Sequence, residues 1–358
     1  MPRFRASIAV AILLAGAGFV AFRWLGNQNA TYWQLLSYRS AGEGQIDLGQ
    51  LDDIADAQPV PGDSLLADSA DRLVQIPAME CRIRQRVNLF GQQLTGVGHY
   101  SQWSPQDSQR LRLRWELKFQ VGERVSSLQQ INDGRFFWTR RDLPGEQSLS
   151  RIDLRIVRDV LERETQLPPE VAMRSWLVLG GLSRLVHGLR ENFDFGLAQP
   201  RIVETTPVWV LVGSWKPARL AALVPNLQPQ LDAARPIPLD QLPAHLPDVA
   251  VVVLSRDPRL PSFPYRVEYR RSLRGNVRGT SPETADTRWN GDSETDVNAQ
   301  DGLNGTSEVA VIDLFEVNLN ADLEPQNFAY QPPGSQPVVD ETESFLLQVI
   351  APSRGSGE

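Results

Sequence analysis

The chain has 358 residues, a formal net charge of −7 at pH 7, 41% hydrophobic residues and 22% charged residues. These values are ordinary for a folded protein with a substantial core, and the acidic balance argues against nucleic-acid binding. The single cysteine, Cys81, excludes an intramolecular disulfide framework and a cysteine-based zinc cluster. Motifs of common hydrolases, zinc enzymes and nucleotide-binding proteins are absent. We therefore predict a protein that is not an enzyme and that needs neither a cofactor nor a metal.

The N-terminus has the pattern of an export signal, because Arg3 and Arg5 precede an uncharged apolar run. A small-x-small sequence within the run fits a cleavage site. However, the run extends over residues 7–24 and approaches the roughly 17–25 residues that span a bilayer. Residues 1–26 are therefore predicted to be a cleaved signal peptide or an uncleaved transmembrane helix, and we favour the membrane anchor. The rest of the chain then lies outside the cytoplasm.

Residues 27–63 lack a sustained apolar period and are predicted to form a flexible tether. Apolar residues at helical spacing then predict a short amphipathic helix over residues 64–76, which Pro77 ends. Two further helices are predicted at residues 153–164, capped by Asp153, and at residues 169–193, where Gly180-Gly181 marks a kink or a close contact.

Alternation of apolar and polar residues predicts antiparallel strands with one apolar face and one wet face. The predicted strands are at residues 81–89, 91–103, 111–121, 124–131, 135–141, 207–215, 248–255, 265–272 and 308–320. Asp133-Gly134 is a strong signal for a tight hairpin turn. Glycines at positions 96 and 98 indicate bends or bulges in the second strand.

Three segments between or after these elements are polar or proline-rich. Residues 217–247 are predicted to be a Pro-rich crossover, residues 275–307 a disordered insertion, and residues 352–358 a loose tail. Within the insertion, the spacing of three acidic residues imitates a calcium loop: Asp292, Glu294 and Asp296. The mid-loop glycine and the terminal glutamate of such a loop are missing, so a solvated acidic loop is favoured and no metal site is predicted.

The apolar face of the first strands is rich in aromatic residues. Seven residues are candidates for lining an apolar cavity: Val87, Leu89, Trp115, Leu117, Phe119, Phe136 and Trp138. Such a face on a curved antiparallel sheet either packs on helices or encloses an apolar ligand. Adjacent residues on a strand point to opposite faces, so Phe136, Phe137 and Trp138 cannot all enter one core. Which of the three faces the cavity stays open, because a register shift of one residue exchanges the two sides.

Two short motifs resemble the LolA-like superfamily of periplasmic lipoprotein carriers and their relatives. The stretch "SSLQQINDGRFFWTRRD" resembles the family's hairpin, in which Asp133, Gly134 and Trp138 match an Asp-Gly-x-x-x-Trp pattern. The stretch "FAYQPPGSQPVVDET" resembles its closing motif. There the matching positions are Pro332, Pro333, Gly334 and Asp340.

The resemblance implies an α+β fold over residues 64–351: a strongly curved antiparallel sheet, or half-open β-barrel, that is covered by helices and accepts acyl chains on its concave face. One position departs from the carriers. In them an arginine before a proline helps to hold the helical lid closed, and this chain has Ser104 before Pro105. This departure and the predicted anchor argue against a soluble shuttle.

We therefore expect a membrane-anchored protein on the periplasmic side of the inner membrane of a bacterial cell envelope. Its partner would be a lipid, or the acyl chain of a lipoprotein during lipoprotein transport. The alternative is an envelope sensor or interaction module with a filled core and no lipid ligand, whose partners meet two rows of arginines on the outer face: Arg82, Arg84 and Arg86, and Arg110, Arg112 and Arg114. The oligomeric state is not predicted.

Overall fold

The computed structural model describes residues 52–53, 58, 60–89, 92–104, 111–121, 124–143, 145–162, 167–203, 205–235, 237–243, 246–272, 276–277, 306–334 and 336–350. The predicted anchor, nearly all of the predicted tether before position 60, most of the insertion with its acidic loop, and the tail lie outside these residues. Among the described residues, no helix is long and apolar enough to cross a membrane.

In the described part of the chain, strands and helices alternate in blocks. The strands are β1 (Asp52–Asp53), β2 (Val60–Pro61), β3 (Ala78–Leu89), β4 (Gln92–Trp103), β5 (Arg112–Val121), β6 (Arg124–Asn132), β7 (Phe136–Leu143), β8 (Glu146–Asp153), β9 (Phe193–Phe195), β10 (Leu197–Val203), β11 (Thr206–Trp215), β12 (Ile237–Pro238), β13 (Val249–Ser255), β14 (Pro264–Ser272), β15 (Asn276–Val277), β16 (Thr306–Asn318) and β17 (Val339–Asp340). The helices are α1 (Gly62–Gln75), α2 (Leu154–Leu161), α3 (Pro169–Arg174), α4 (Trp176–Leu179), α5 (Gly181–Asn192), α6 (Pro217–Leu223), α7 (Gln228–Asp232) and α8 (Thr342–Ile350).

Fifteen of these strands form one large sheet. Its order is β1-β10-β11-β13-β14-β16-β3-β4-β5-β6-β7-β8-β17, with β2 beside β10 and β9 beside β11. The pairings are antiparallel except that β17 runs parallel to β8. The path begins at β1 and ends at β17 without returning to its start, so the protein is α+β with a large curved sheet that is not closed.

The main core lies on one side of this sheet, which we call the concave face. Alternate residues of nearly every long strand point into it, as the two-residue period of a strand requires. The helices supply the other half, for example Leu66 of α1, Trp176 of α4, Leu185 of α5 and Leu220 of α6. The helices and the curved sheet therefore bury each other's apolar surfaces.

The predicted helix over residues 169–193 is three short helices. It breaks at Ser175 and again at Gly180, where Gly180 and Gly181 have φ values of 153° and 69°. A Cβ at Gly181 would lie 2.6 Å from the hydroxyl oxygen of Tyr100, so close packing also requires glycine there. The predicted kink is present, and its cause is the approach of this turn to strand β4.

Strand β8 was not predicted. Its sequence "EQSLSRID" has only two large apolar residues, Leu149 and Ile152, and they lie on opposite faces of the sheet. No single-face alternation is therefore visible in the sequence. Its long pairing with β7 establishes the strand instead.

One partly buried cation binds the backbone of the Pro-rich crossover. Arg271 of β14 donates hydrogen bonds to four backbone carbonyls of this loop, at 2.6 to 3.3 Å: those of Leu239, Leu242, Pro243 and Leu246. Burial lowers the pKa of Arg271. The guanidinium satisfies carbonyls that have few backbone donors nearby, because proline has no N–H.

Candidate functional site

Four of the proposed cavity residues lie together on the concave face. Val87, Trp115, Leu117 and Phe119 belong to the main core, and each is at most 7% exposed. The backbone of Leu89 ends β3, but its side chain lies outside the described residues. The structure therefore brings the strand β3 and β5 candidates to one surface.

Trp115 is the centre of this surface. Its ring makes edge-to-face contacts with Tyr100 on the neighbouring strand, at 5.9 Å between centroids, and with Trp176 of α4, at 5.3 Å. Aromatic pairs in this arrangement add about 0.5–1.5 kcal/mol to the effect of burial. In this state the helices fill the space above Trp115.

The indole N–H of Trp115 is buried and has no hydrogen-bond partner among the described residues. An unsatisfied buried donor costs about 1–3 kcal/mol. Other buried polar atoms without a partner among the described residues share this face: Oε1 of Gln85, Oγ of Ser126 and Oε1 of Gln130, which is paired with Trp115 across the strands. The concave face is therefore mainly apolar, with a few polar groups that a ligand could meet.

A polar link connects this face to the helices. Tyr100 Oη donates to Gln102 Oε1 at 2.7 Å and accepts from the backbone N–H of Leu182 at 3.4 Å. Gln102 Nε2 donates to the carbonyl oxygen of Leu73, at 3.4 Å, in α1. Burial raises the pKa of Tyr100, which keeps its hydroxyl a neutral donor. The turn at Gly180-Gly181 is thus held against β4 at a single hydroxyl.

The other two proposed cavity residues are on the opposite, convex face, and their placement in the cavity was wrong. Phe136 and Trp138 form a separate cluster with Ile131, Leu149 and Tyr330. It is Phe137, between them, that enters the main core with 1% of its surface exposed. The register pairs Phe137 with Asn132 and Trp138 with Ile131, and only this long-range pairing decides which side each ring takes.

The Asp133 carboxylate explains the first motif. Its Oδ1 accepts from the backbone N–H groups of Arg135 and Phe136 at 2.8 and 2.7 Å, and its Oδ2 accepts from the indole Nε1 of Trp138 at 2.8 Å. Gly134 has φ of 96°, which favours glycine. The first motif is therefore a turn in which the aspartate carboxylate holds the indole of the tryptophan on the following strand.

The second motif packs on the first. The ring of Tyr330 lies 5.2 Å from that of Trp138, and the segment that follows passes through the exposed residues Pro332 and Pro333. Asp340 then binds Arg151 of β8 at 3.1 Å. Both motifs thus belong to one structural unit on the convex face, outside the concave core.

Replacing Asp133 with Ala is expected to lower the free energy of unfolding by about 2 kcal/mol, since three hydrogen bonds to a charged acceptor are lost. Urea denaturation followed by tryptophan fluorescence measures this. The control is Asp142→Ala at the other end of β7, where the exposed carboxylate accepts one hydrogen bond, from Gln147 at 3.1 Å. That change is expected to cost less than about 0.5 kcal/mol. Equal effects of the two substitutions would contradict the role given to Asp133.

Many charged side chains in the described part of the chain are paired with a side chain of opposite charge. On the convex face Arg114 contacts Glu116, and Arg82 pairs with Glu316 at 3.2 Å. Within the described residues, no group of three or more His, Cys, Asp and Glu side chains could hold a metal ion.

No family model and no curated protein matches the sequence. Among solved structures, the chain is similar to that of MucB, with 11% identity, a TM-score of 0.35, and coverage of 78% of this chain and 67% of that one. It is also similar to a putative outer membrane lipoprotein-sorting protein domain from Vibrio parahaemolyticus, with 9% identity, a TM-score of 0.29, and coverage of 75% and 95%.

A third similar structure is a LolA superfamily protein from Nitrosomonas europaea, with 12% identity, a TM-score of 0.23, and coverage of 76% of this chain and 98% of that one. At these identities and TM-scores, the similarities carry no information about a ligand or a partner. The solved structures to which this chain is similar thus include a member of the superfamily that its sequence motifs resemble.

Proposed function

We propose that this protein is a non-enzymatic binding protein of the bacterial cell envelope that holds an acyl chain, of a lipid or a lipoprotein, on the concave face of its sheet. The observation that carries the proposal is the mainly apolar surface around Trp115, which contains the unsatisfied indole N–H of Trp115 and is covered by short helices. An ester or amide carbonyl near the head of an acyl chain is the kind of acceptor that this N–H lacks.

The helical cover, α3 to α5, supports the proposal because it is divided into short pieces that could move separately from the sheet. It consists of pieces of 6, 4 and 12 residues, and the break at Gly180-Gly181 offers a hinge. Burial of apolar surface is worth about 25 cal/mol per Å², so an acyl chain that replaces the cover recovers much of the energy lost when it lifts. The closed state and a ligand-bound open state are then close in energy.

The test uses the chain without residues 1–26 and a fatty acid that carries an environment-sensitive fluorophore. We expect saturable binding that unlabelled fatty acid displaces, and co-purifying lipid in solvent extracts examined by mass spectrometry. Trp176→Ala removes the main contact of the cover with Trp115. It is expected to tighten binding about tenfold, because an aromatic pair of about 1.4 kcal/mol no longer has to be broken.

Leu117→Asp places a charge on the concave face and is expected to abolish binding. The matched control is Val97→Asp, which lies on the neighbouring strand, on the convex side, and is 47% exposed. Binding by neither the unmodified chain nor Trp176→Ala, together with the absence of extracted lipid, would reject the proposal.

The competing function is an envelope sensor or interaction module whose core is permanently filled. One observation favours it: Trp115 and Leu117 are each only 1% exposed beneath the helices. A negative result in the lipid experiments with a folded protein would select this function, and the search for a partner would then move to the convex face.

A further inference from the structure

The sheet carries a second apolar surface, on the convex side. Five buried valines of β10, β11 and β13 form it, and we call it the convex valine face: Val203, Val208, Val210, Val251 and Val253. Their neighbours along the strands, such as Leu211 and Val252, point into the main core. The convex valine face is therefore separate from the proposed ligand site.

The apolar side chains known to pack against this face come from the sheet itself. Val210 and Val251 are 1% and 0% exposed, yet the partly buried apolar residues that pack against the cluster, Val249 and Tyr265, belong to the same sheet. The valines at the margin of the face are more exposed. Val212 lies two residues beyond Val210 on the same side of β11 and is 37% exposed. Arg201 and Arg266 lie at the edges of the face, opposite Val208 and Val253 in the neighbouring strands. An apolar cover over the centre of the face would come from the chain outside the described residues.

The position of strand β1, the first described element, indicates which segment could provide this cover. Asp52 and Asp53 pair with Ile202 and Arg201 of β10, so the chain that precedes Asp52 reaches the sheet beside Val203. Neighbouring strands lie about 4.8 Å apart, which makes the three-strand face about 10–15 Å wide. Six extended residues span about 20 Å. Residues 46–51 are thus long enough to cross the whole face.

The composition of this stretch also fits an apolar surface. Residues 27–51 contain six large aliphatic or indole side chains: Trp33, Leu35, Leu36, Ile46, Leu48 and Leu51. The other long stretch outside the described residues, 278–305, has six acidic residues and only three large apolar ones. Burying those carboxylates against valines would be costly without partners.

We propose that the convex valine face is the docking surface for residues 27–51 of this same chain, with Ile46, Leu48 and Leu51 against the valines. The stretch is then a strap bound along the sheet, in place of the free tether that its composition suggests. If the preceding apolar run is a membrane anchor, the strap holds the folded part of the protein at a short and fixed distance from the bilayer.

The test measures the rate at which a water-soluble thiol reagent modifies single cysteines in the full chain. Val210→Cys lies under the proposed strap, and Val212→Cys is the exposed control on the same strand and face. The resident Cys81 is buried, and burial raises its pKa, so it reacts slowly. In the full chain Val210→Cys is expected to react at least tenfold more slowly than Val212→Cys.

Deletion of residues 27–51 is expected to accelerate the reaction of Val210→Cys at least tenfold and to leave Val212→Cys unchanged. A synthetic peptide of residues 27–51 added to the deleted protein should restore protection. Replacing residues 280–303 with a short Gly-Ser linker should change neither rate. If the deleted chain does not fold, the full-length triple variant Ile46→Ser, Leu48→Ser and Leu51→Ser replaces it in the same comparison.

Two results would overturn the proposal. In one, Val210→Cys stays protected in a folded protein whose strap is deleted or made polar. In the other, removal of residues 280–303 exposes it, which would assign the cover to the insertion.

Discussion

Replacing Gly98 with Ala is expected to lower the free energy of unfolding by about 4 kcal/mol or to prevent folding, as severe steric changes in a core do. A Cβ at this position would lie 1.7 Å from the carbonyl oxygen of Glu116, which is backbone and cannot rotate away. Relief would require β4 and β5 to separate at the pairing of Gly98 with Leu117. These strands carry Tyr100 and Trp115, so the concave face would be disrupted with them.

The neighbouring glycine of the same Gly-x-Gly pattern is the control. A Cβ at Gly96 would meet the Cδ2 atom of Leu117 at 3.4 Å, which is an ordinary contact with a side chain. Gly96→Ala is therefore expected to change stability by less than about 1 kcal/mol, and the reduced freedom of the unfolded chain offsets part of any loss. Urea denaturation of both variants measures the two changes in the free energy of unfolding. Comparable stabilities would show that β4 and β5 adjust to the extra methyl group.

Glu268→Gln is expected to lower the free energy of unfolding by about 3–5 kcal/mol, the usual cost of breaking a buried ion pair. Glu268 is fully buried on the convex side of β14, where its carboxylate contacts Arg266 and binds Arg270 at 2.6 Å. Arg266 also pairs with Glu308 at 3.3 Å and with Asp313 at 3.5 Å. Arg86 lies 3.7 Å from Glu308, so the network has three arginines and three carboxylates. The neutral amide leaves it with one excess positive charge.

Asp313, the other buried carboxylate of this network, is not expected to replace the charge lost in Glu268→Gln. Burial raises the pKa of Asp313, while nearby arginines, Arg266 first, favour its charged form. Asp313 is therefore a poor substitute for the lost carboxylate. The control is Glu316→Gln, because Glu316 pairs with Arg82 where both side chains are about half exposed or more. An exposed pair contributes about 0–1 kcal/mol, so this variant should be near neutral. A small effect of Glu268→Gln would mean that water or another group satisfies Arg266.

Most of the strands could be predicted from alternation, because a half-buried antiparallel strand needs an apolar residue at every second position. Strand β5 shows this, since Trp115, Leu117 and Phe119 all reach the core as their spacing requires. Strand β8 shows the limit, because its few apolar residues face both ways. Residues 169–193 could be predicted as helical with a kink or close contact at Gly180-Gly181, and the structure adds the contact of that turn with Tyr100 and a second break at Ser175.

The sequence by itself determined the presence of helices and long antiparallel strands, the position of the hairpin at Asp133-Gly134 and the shared apolar face of the β5 candidates, because these follow from local turn chemistry and the periods of helix and strand. Only the tertiary structure decided that Phe137 faces the concave core while Phe136 and Trp138 face outward, and that Tyr330 covers Trp138. The physical reason is that the face of a strand depends on its register with a neighbour, and what covers that face comes from residues nearly two hundred positions away.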